Sequence, residues 1–373
     1  MFIDRRTMLT GGAALALSGP ALAQKRPRAN WFDQAIIIDA LGGMRDPYEK
    51  DEVTRWSQRG FDETMATGVT MLRDTVFPVG NVADPWGEYQ KVIKGYHAFA
   101  AANPDRLIVV RSAADILKAK REKKFAVLLG TQDSVMVGSE LDRLAQLKKD
   151  GVLTVQLTYN NGNLAGDGAL EPRNGGLTKL GRATIERIEK EKILLDLSHG
   201  GQRTMAEATA HAKRPLVISH TGARALTDHV RNTEDATIRA VAQKGGVVGV
   251  YFMPFLAADG KPSGDQLVAH IEHVANVAGE DGVGIGTDNG VLPWPLDEAT
   301  KKRMDDWTVE RIKQGIAAPG EAVGVYTVVE SYNSIDRYRR IADVLQKRGW
   351  SQMRLEKLMG GNFLRVYKDA WGG

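Results

Sequence analysis

The stretch ILLDLSHGG, residues 193–201, decides the fold. It opens as a continuous apolar run, turns polar at Asp196, and reaches His199 just before a glycine pair. A run that is apolar on both faces marks a parallel strand covered by helices rather than a half-exposed antiparallel one. The next such run, in RPLVISHTG at 214–222, ends in the same way at His220, and a helical pattern at 202–212 separates the two. Strand, helix, strand, with a histidine at the carboxyl end of each strand, is the repeating unit of a parallel α/β fold, whose reactive groups gather at that end.

Reading outward, short apolar runs recur at 35–38, 69–73, 125–129, 153–157, 193–195, 216–219, 247–250 and 283–286. Helical patterns alternate with them at 139–149, 180–192, 202–212, 237–244 and 266–278. Eight strands in this alternation predict a (β/α)₈ TIM barrel of the α/β class, with residues 24–373 as one domain. A ninth run at 107–110 reads as an extra strand or a connector. A doubly wound open sheet is the runner-up, but it calls for a phosphate-binding glycine loop, and no G-x-G-x-x-G follows the first strand. The segments at 257–266 and 290–303 read as long loops on the active-site side.

The chain has 373 residues, no cysteine and a formal net charge of +4. It therefore forms no disulfide and no thiolate metal site. The basic excess is dispersed, without the Lys/Arg block that marks a nucleic-acid surface. At the N-terminus, Arg5 and Arg6 precede an apolar stretch that ends in Ala21-Leu22-Ala23. This pattern predicts a twin-arginine signal peptide over residues 1–23 and a periplasmic mature protein. Gly11, Gly12, Gly19 and Pro20 break the stretch, so no stable membrane span is expected.

The strand ends carry Asp39, Asp74, Gln132, Asp133, Tyr159, Asn160, Asp196, His199, His220, Tyr251 and Asp288. Only seven histidines exist, and two of them follow adjacent strands. Neutral imidazoles converging from neighbouring strands suit Zn²⁺, commonly with a carboxylate as the third ligand. Asp288, in VGIGTDNG, is placed to accept a proton from an activated water and pass it to a leaving amine. Of the rest, Arg173 and Asn174 read as part of a loop over the site, and Asp74 as an ion-pair partner of Arg111. His270 and His273, three residues apart, read as one side of an ordinary outer helix; His97 and His211 show no pattern, and His229 lies near Arg231.

Several motifs in order make the chain resemble the membrane dipeptidase (renal dipeptidase) family of the metal-dependent amidohydrolase superfamily. They are QLTYNNGNLAGDG, GLTKLGRATIERIEKEKILLDLSHGG, RPLVISHTGARALTDHVRN, GGVVGVYF, VGIGTDNGV and LMGGNFLRVY, and the resemblance runs from about Ile36 to Val366. It implies a dipeptide-cleaving barrel with two zinc ions, in a family whose members are often dimers, so a homodimer is a natural expectation. The family's histidines after strands five and six fall on His199 and His220, its proton-handling Asp on Asp288, and its carboxylate-holding Arg on Arg231. The departures are specific. Leu41-Gly42-Gly43 stands where the family has His-x-Asp, Gln132 where it has a bridging Glu, and Tyr159 where it has a His that contacts the reacting peptide group.

A dinuclear centre is therefore not expected. The sequence points to one Zn²⁺ held by His199 and His220, with Gln132, Asp133 or Asp288 completing the shell. Asp288 and Tyr159 are the candidate catalytic residues, Tyr159 as a phenolic donor to a developing oxyanion. Arg231, Asn160 and Tyr251 are the candidate substrate contacts, Arg231 because its guanidinium fork matches a carboxylate. The expected substrate is a dipeptide or other small amide with a free carboxylate. The competing readings are a catalytically silent member that binds a small ligand, and metal-free chemistry on a non-peptide substrate with Asp288 as general base.

Overall fold

The computed structural model describes residues 31–44, 46–48 and 55–372. The expected signal peptide lies outside the described residues. The eight apolar runs all form strands: β1 (Ile38–Asp39), β2 (Met71–Thr75), β3 (Phe125–Thr131), β4 (Val152–Gln156), β5 (Leu194–Asp196), β6 (Val217–Thr221), β7 (Val247–Val250) and β8 (Val283–Ile285). Each pairs in parallel with the next, in sequence order from β1 to β8. The ninth run, Leu107–Val109, is an extra strand beside β3, in register with Phe125–Val127.

The ring closes between β8 and β1 by single contacts rather than a long ladder. Ala40 N–H donates to the Ile285 carbonyl at 3.0 Å, and Asp288 N–H to the Leu41 carbonyl at 2.8 Å. Beyond them Asn289–Gly290 pairs in parallel with Gly42–Gly43. Asp39 reinforces this seam. Its carboxylate accepts from Thr287 N–H at 2.8 Å, Thr287 Oγ1 at 2.6 Å and Tyr338 Oη at 2.7 Å. The loop after β1 thus ties first strand to last instead of offering ligands, and Leu41 is buried in it.

Opposite the active-site end, the C-terminal helix Asn362–Trp371 plugs the barrel. Phe363, Val366, Tyr367, Ala370 and Trp371 recur at helical spacing and pack against Ile38, Met71, Leu128 and Val217 inside the strands. Trp371 Nε1 donates to the Leu153 carbonyl at 3.0 Å, so the buried indole is satisfied.

The helices expected around the barrel are present with shifted ends: Arg143–Asp150, Lys179–Lys190, Gln202–His211, Asp235–Gln243 and Gly264–Ala278. The first starts four residues late, because residues 139–142 are held in turns. The segment after Asp288 is not all loop. Asp297 caps a helix, Glu298–Lys313, by accepting from Thr300 N–H at 2.7 Å. That helix leans over the mouth of the barrel and brings Trp307 and Arg311 into it.

Candidate active site

A cavity of about 460 Å³ opens at the carboxyl end of the strands. His199, Asp288, Gln132, Tyr159 and Arg231 line its inner part, and Phe77, Val82, Met253, Phe255, Trp307 and Ile316 form apolar walls. His199, His220 and Asp288 come together, with one ligand atom from each within 4.8 Å of the others. His199 and Asp288 adopt left-handed backbone conformations, with φ of 63° and 57°. Non-glycine residues in that region store strain and persist only where the surroundings enforce them, which is common at functional sites.

Hydrogen bonds fix both imidazole tautomers. His199 Nδ1 lies 2.6 Å from Asn160 Oδ1, while the Asn160 amide nitrogen donates to the Ile316 carbonyl at 2.7 Å. Since the Asn oxygen only accepts, His199 carries its hydrogen on Nδ1. His220 Nδ1 lies 2.8 Å from Ser219 Oγ. The one hydroxyl hydrogen of Ser219 goes to Asp196 Oδ2 at 2.6 Å, so Ser219 accepts from His220 Nδ1–H. Both rings therefore turn an Nε2 lone pair toward the site, and both Nε2 atoms are buried with no protein partner. Burial, reinforced by the Arg231 charge, pushes both histidines well below their usual range and keeps them neutral at pH 7. Two buried, neutral, unpartnered imidazole nitrogens beside a carboxylate fit a divalent cation.

Beneath His220 the barrel interior holds a buried ion pair. Arg73 donates to Asp196 and, at 3.1 Å, to Ser219 Oγ. Asp196 also accepts from Ser198 Oγ at 2.8 Å. Burial drives Asp196 upward, but Arg73, His220 and Ser219 outweigh it and hold the carboxyl at about 2. Gly130 makes room for the cation: a Cβ there would overlap the Arg73 side chain.

Burial pushes Asp288 up to about 7, against the opposing pull of Arg231 and Arg311. A carboxyl near neutrality can both take and return a proton. Arg231 is buried, and its Nη2 has no partner. Among the described residues no carboxylate pairs with it, which leaves the guanidinium for an anionic ligand.

Other expected residues are placed differently. Asn160 does not face the cavity; it is fully buried with both ends of its amide engaged, and serves as the brace of His199. Tyr251 is likewise enclosed: its hydroxyl donates to Asn232, and its ring lies under the Arg231 guanidinium at 5.9 Å. Gln132 lines the cavity, with Oε1 accepting from Thr75 Oγ1 at 2.9 Å. Asp133 is taken up by Gly80 N–H, Ser134 N–H and Asn163 Nδ2 at 2.7–2.9 Å and does not join the cluster.

Asp74 and Arg111 do not pair: Asp74 accepts from Thr75 and Met44 N–H, and Arg111 donates to the Lys149 carbonyl. Arg173 is tied to Asp167 at 2.6 Å and does not line the cavity. Asn174 accepts from Arg203 N–H. His270 and His273 are structural, bonding to Ala223 N–H and Leu256 carbonyl and to Asp235 respectively. His229 stacks on Phe255 with ring centroids 4.3 Å apart. Arg311 was not foreseen: it donates to Tyr159 Oη at 2.9 Å. Its legible sign was the helix pattern opened by Asp297, with Met304, Thr308 and Arg311 on its buried side.

Comparison with known proteins places the chain in a known family and fold. Residues 83–305 match the model of the membrane dipeptidase family, peptidase family M19. An amidohydrolase structure from Pseudomonas aeruginosa superposes with a TM-score of 0.78 at 30% identity, covering 92% of this chain and 98% of that one. An uncharacterized protein in the pqqA 5′ region of Klebsiella pneumoniae is 30% identical over 282 residues, 73% of this chain and 92% of its own. The dipeptidase tcpJ of Claviceps purpurea is 26% identical over 270 residues, which span 71% of this chain and 56% of that protein.

Proposed function

The chain belongs to the membrane dipeptidase family, and from that premise we propose that it is a zinc-dependent hydrolase that cleaves a dipeptide, or a small amide with a free carboxylate, at a single-metal site. The observation that carries this reading is the pair of buried Nε2 lone pairs on His199 and His220, aimed at one place beside Asp288 and without a protein partner. The positions that would serve a second ion hold no donor side chain: residue 41 is a buried leucine and residue 43 a glycine. Gln132 offers at most a neutral oxygen already shared with Thr75, a poor ligand for zinc.

His199 and His220 would hold the ion, with Asp288 at its side. When bound, the ion supplies Lewis-acid activation of water and of the substrate carbonyl. Asp288 accepts the proton of the attacking water and returns it to the leaving amine. Arg231 holds the substrate carboxylate and so fixes the scissile bond relative to Asp288. Tyr159, stacked on His199 with centroids 4.2 Å apart, presents its hydroxyl to the carbonyl oxygen.

The test is hydrolysis of a broad dipeptide panel by zinc-loaded protein, by chelated protein and by His199→Ala. Activity in the first alone is the expected result. Activity that survives chelation, or absence of both zinc and activity in wild type, would overturn the reading. Export by the twin-arginine route belongs to the same proposal, and cell fractionation tests it: periplasmic protein is expected, and Arg5→Lys/Arg6→Lys should retain it in the cytoplasm.

A further inference from the structure

We infer that Arg311, locked by Glu321, is the positioning residue that turns the Tyr159 hydroxyl hydrogen into the cavity. The inference rests on the hydrolase reading above and extends it to a residue beyond 305, where the family match ends.

Arg311 reaches the site from the helix Glu298–Lys313. Its Nε donates to Glu321 Oε2 at 2.6 Å and its Nη2 to Glu321 Oε1 at 2.9 Å, a two-pronged pair between side chains 8% and 5% exposed. Nη2 also reaches the Ile316 carbonyl at 3.3 Å, and Nη1 donates to Tyr159 Oη at 2.9 Å. One turn back, the Trp307 ring lies 4.6 Å from the guanidinium carbon. With four of its five N–H groups bonded and its charge matched by Glu321, Arg311 is a brace rather than a free anion site.

The consequence falls on Tyr159. A guanidinium only donates, so the phenolic oxygen is the acceptor in this bond and the hydroxyl hydrogen is not used in it. Among the described residues no other group bonds that hydroxyl. Stacking on His199 at an interplanar angle of 21° helps to hold the ring in this orientation. The remaining direction for the hydrogen is the cavity, where a carbonyl oxygen gaining negative charge would accept it. The donated bond from Arg311 also polarises the hydroxyl and strengthens it as a donor. The same loop is tied to the other side of His199, because Asn160 joins the Ile316 carbonyl to His199 Nδ1.

The test is a double-mutant cycle on zinc-loaded protein with Tyr159→Phe, Arg311→Met and the double variant, reading kcat, KM and zinc content. Glu321→Gln serves as a second, shape-preserving variant in case Arg311→Met fails to fold. Tyr159→Phe should lower kcat about 100-fold with KM within about threefold, since the bond is made chiefly in the transition state. Arg311→Met and Glu321→Gln should lower kcat about 10- to 100-fold with zinc content unchanged, and the double variant should be no slower than Tyr159→Phe. Full additivity of the two losses, or an unchanged kcat in Tyr159→Phe, would overturn the inference while wild-type activity kept the hydrolase reading intact. A zinc-loaded wild type that cleaves no dipeptide would overturn the hydrolase reading and this inference with it.

Discussion

The hydroxyl of Ser219 stands 2.8 Å from Nδ1 of His220 and accepts the hydrogen that would otherwise compete for the other ring nitrogen. Ser219 can accept because its own hydrogen is committed to Asp196, which Arg73 holds in place. Ser219→Ala should leave the fold intact and weaken zinc binding about 10- to 100-fold, the usual consequence of removing the partner that orients a metal-binding histidine. Competition with a chromogenic chelator measures it; an unchanged affinity would show that the serine does not set the ring.

Asp288→Asn removes the proton carrier and keeps the shape. Hydrolysis should fall by about 10²–10⁴-fold, the span typical of a general acid–base group. Binding of a substrate analogue through Arg231 should survive, so titration calorimetry and kinetics on the same protein separate the two roles.

Arg231→Met should raise KM for dipeptides with a free C-terminus far more than it lowers kcat, since the carboxylate is held in ground and transition states alike. C-terminally amidated dipeptides should already be poor substrates of wild type and should lose little further in the variant. Equal losses on both substrate types would place the guanidinium elsewhere in the reaction.

The buried seam at Asp39 has a pH signature. Burial outweighs the bonds from Thr287 and Tyr338 and raises this carboxyl to about 6. In the unfolded chain it titrates near about 3.9. The folded state therefore holds the proton more tightly. The associated stability is fully present below about pH 4 and is lost as pH rises through 6, by about 3 kcal/mol at about 1.4 per unit. Asp74 and Asp133, also raised to about 6 by burial, act in the same direction. Asp196, held at about 2, has the opposite sign: its stabilising effect is present above about pH 4 and is lost as pH falls toward 2. Urea unfolding at pH 4.5 and 7.0 should show Asp39→Asn with a shallower decline than wild type. An identical decline would mean that Asp39 titrates normally.

The barrel was legible because buried parallel strands are continuous apolar runs, and all eight fell within two or three residues of their expected places. The histidine pair was legible because a histidine lies at or just past the end of each of two adjacent apolar runs. What the sequence did not show is how side chains near those ends divide between cavity and support. Asn160 and Tyr251 sit beside site residues in the chain, yet both are buried and brace His199 and Arg231 from behind. That distinction depends on which way a residue points once the strand has ended, where the alternation of a strand no longer applies. Arg311 stayed hidden for a different reason. It lies 152 positions from Tyr159 in the chain, and only the packing of the helix after β8 brings the two together.

The single-metal site is tested most directly by counting zinc in purified wild-type protein with elemental analysis, beside His199→Ala and His220→Ala. One zinc per chain in wild type and none in either variant is the expected result. Two per chain, none in wild type, or one that persists without either histidine would contradict it.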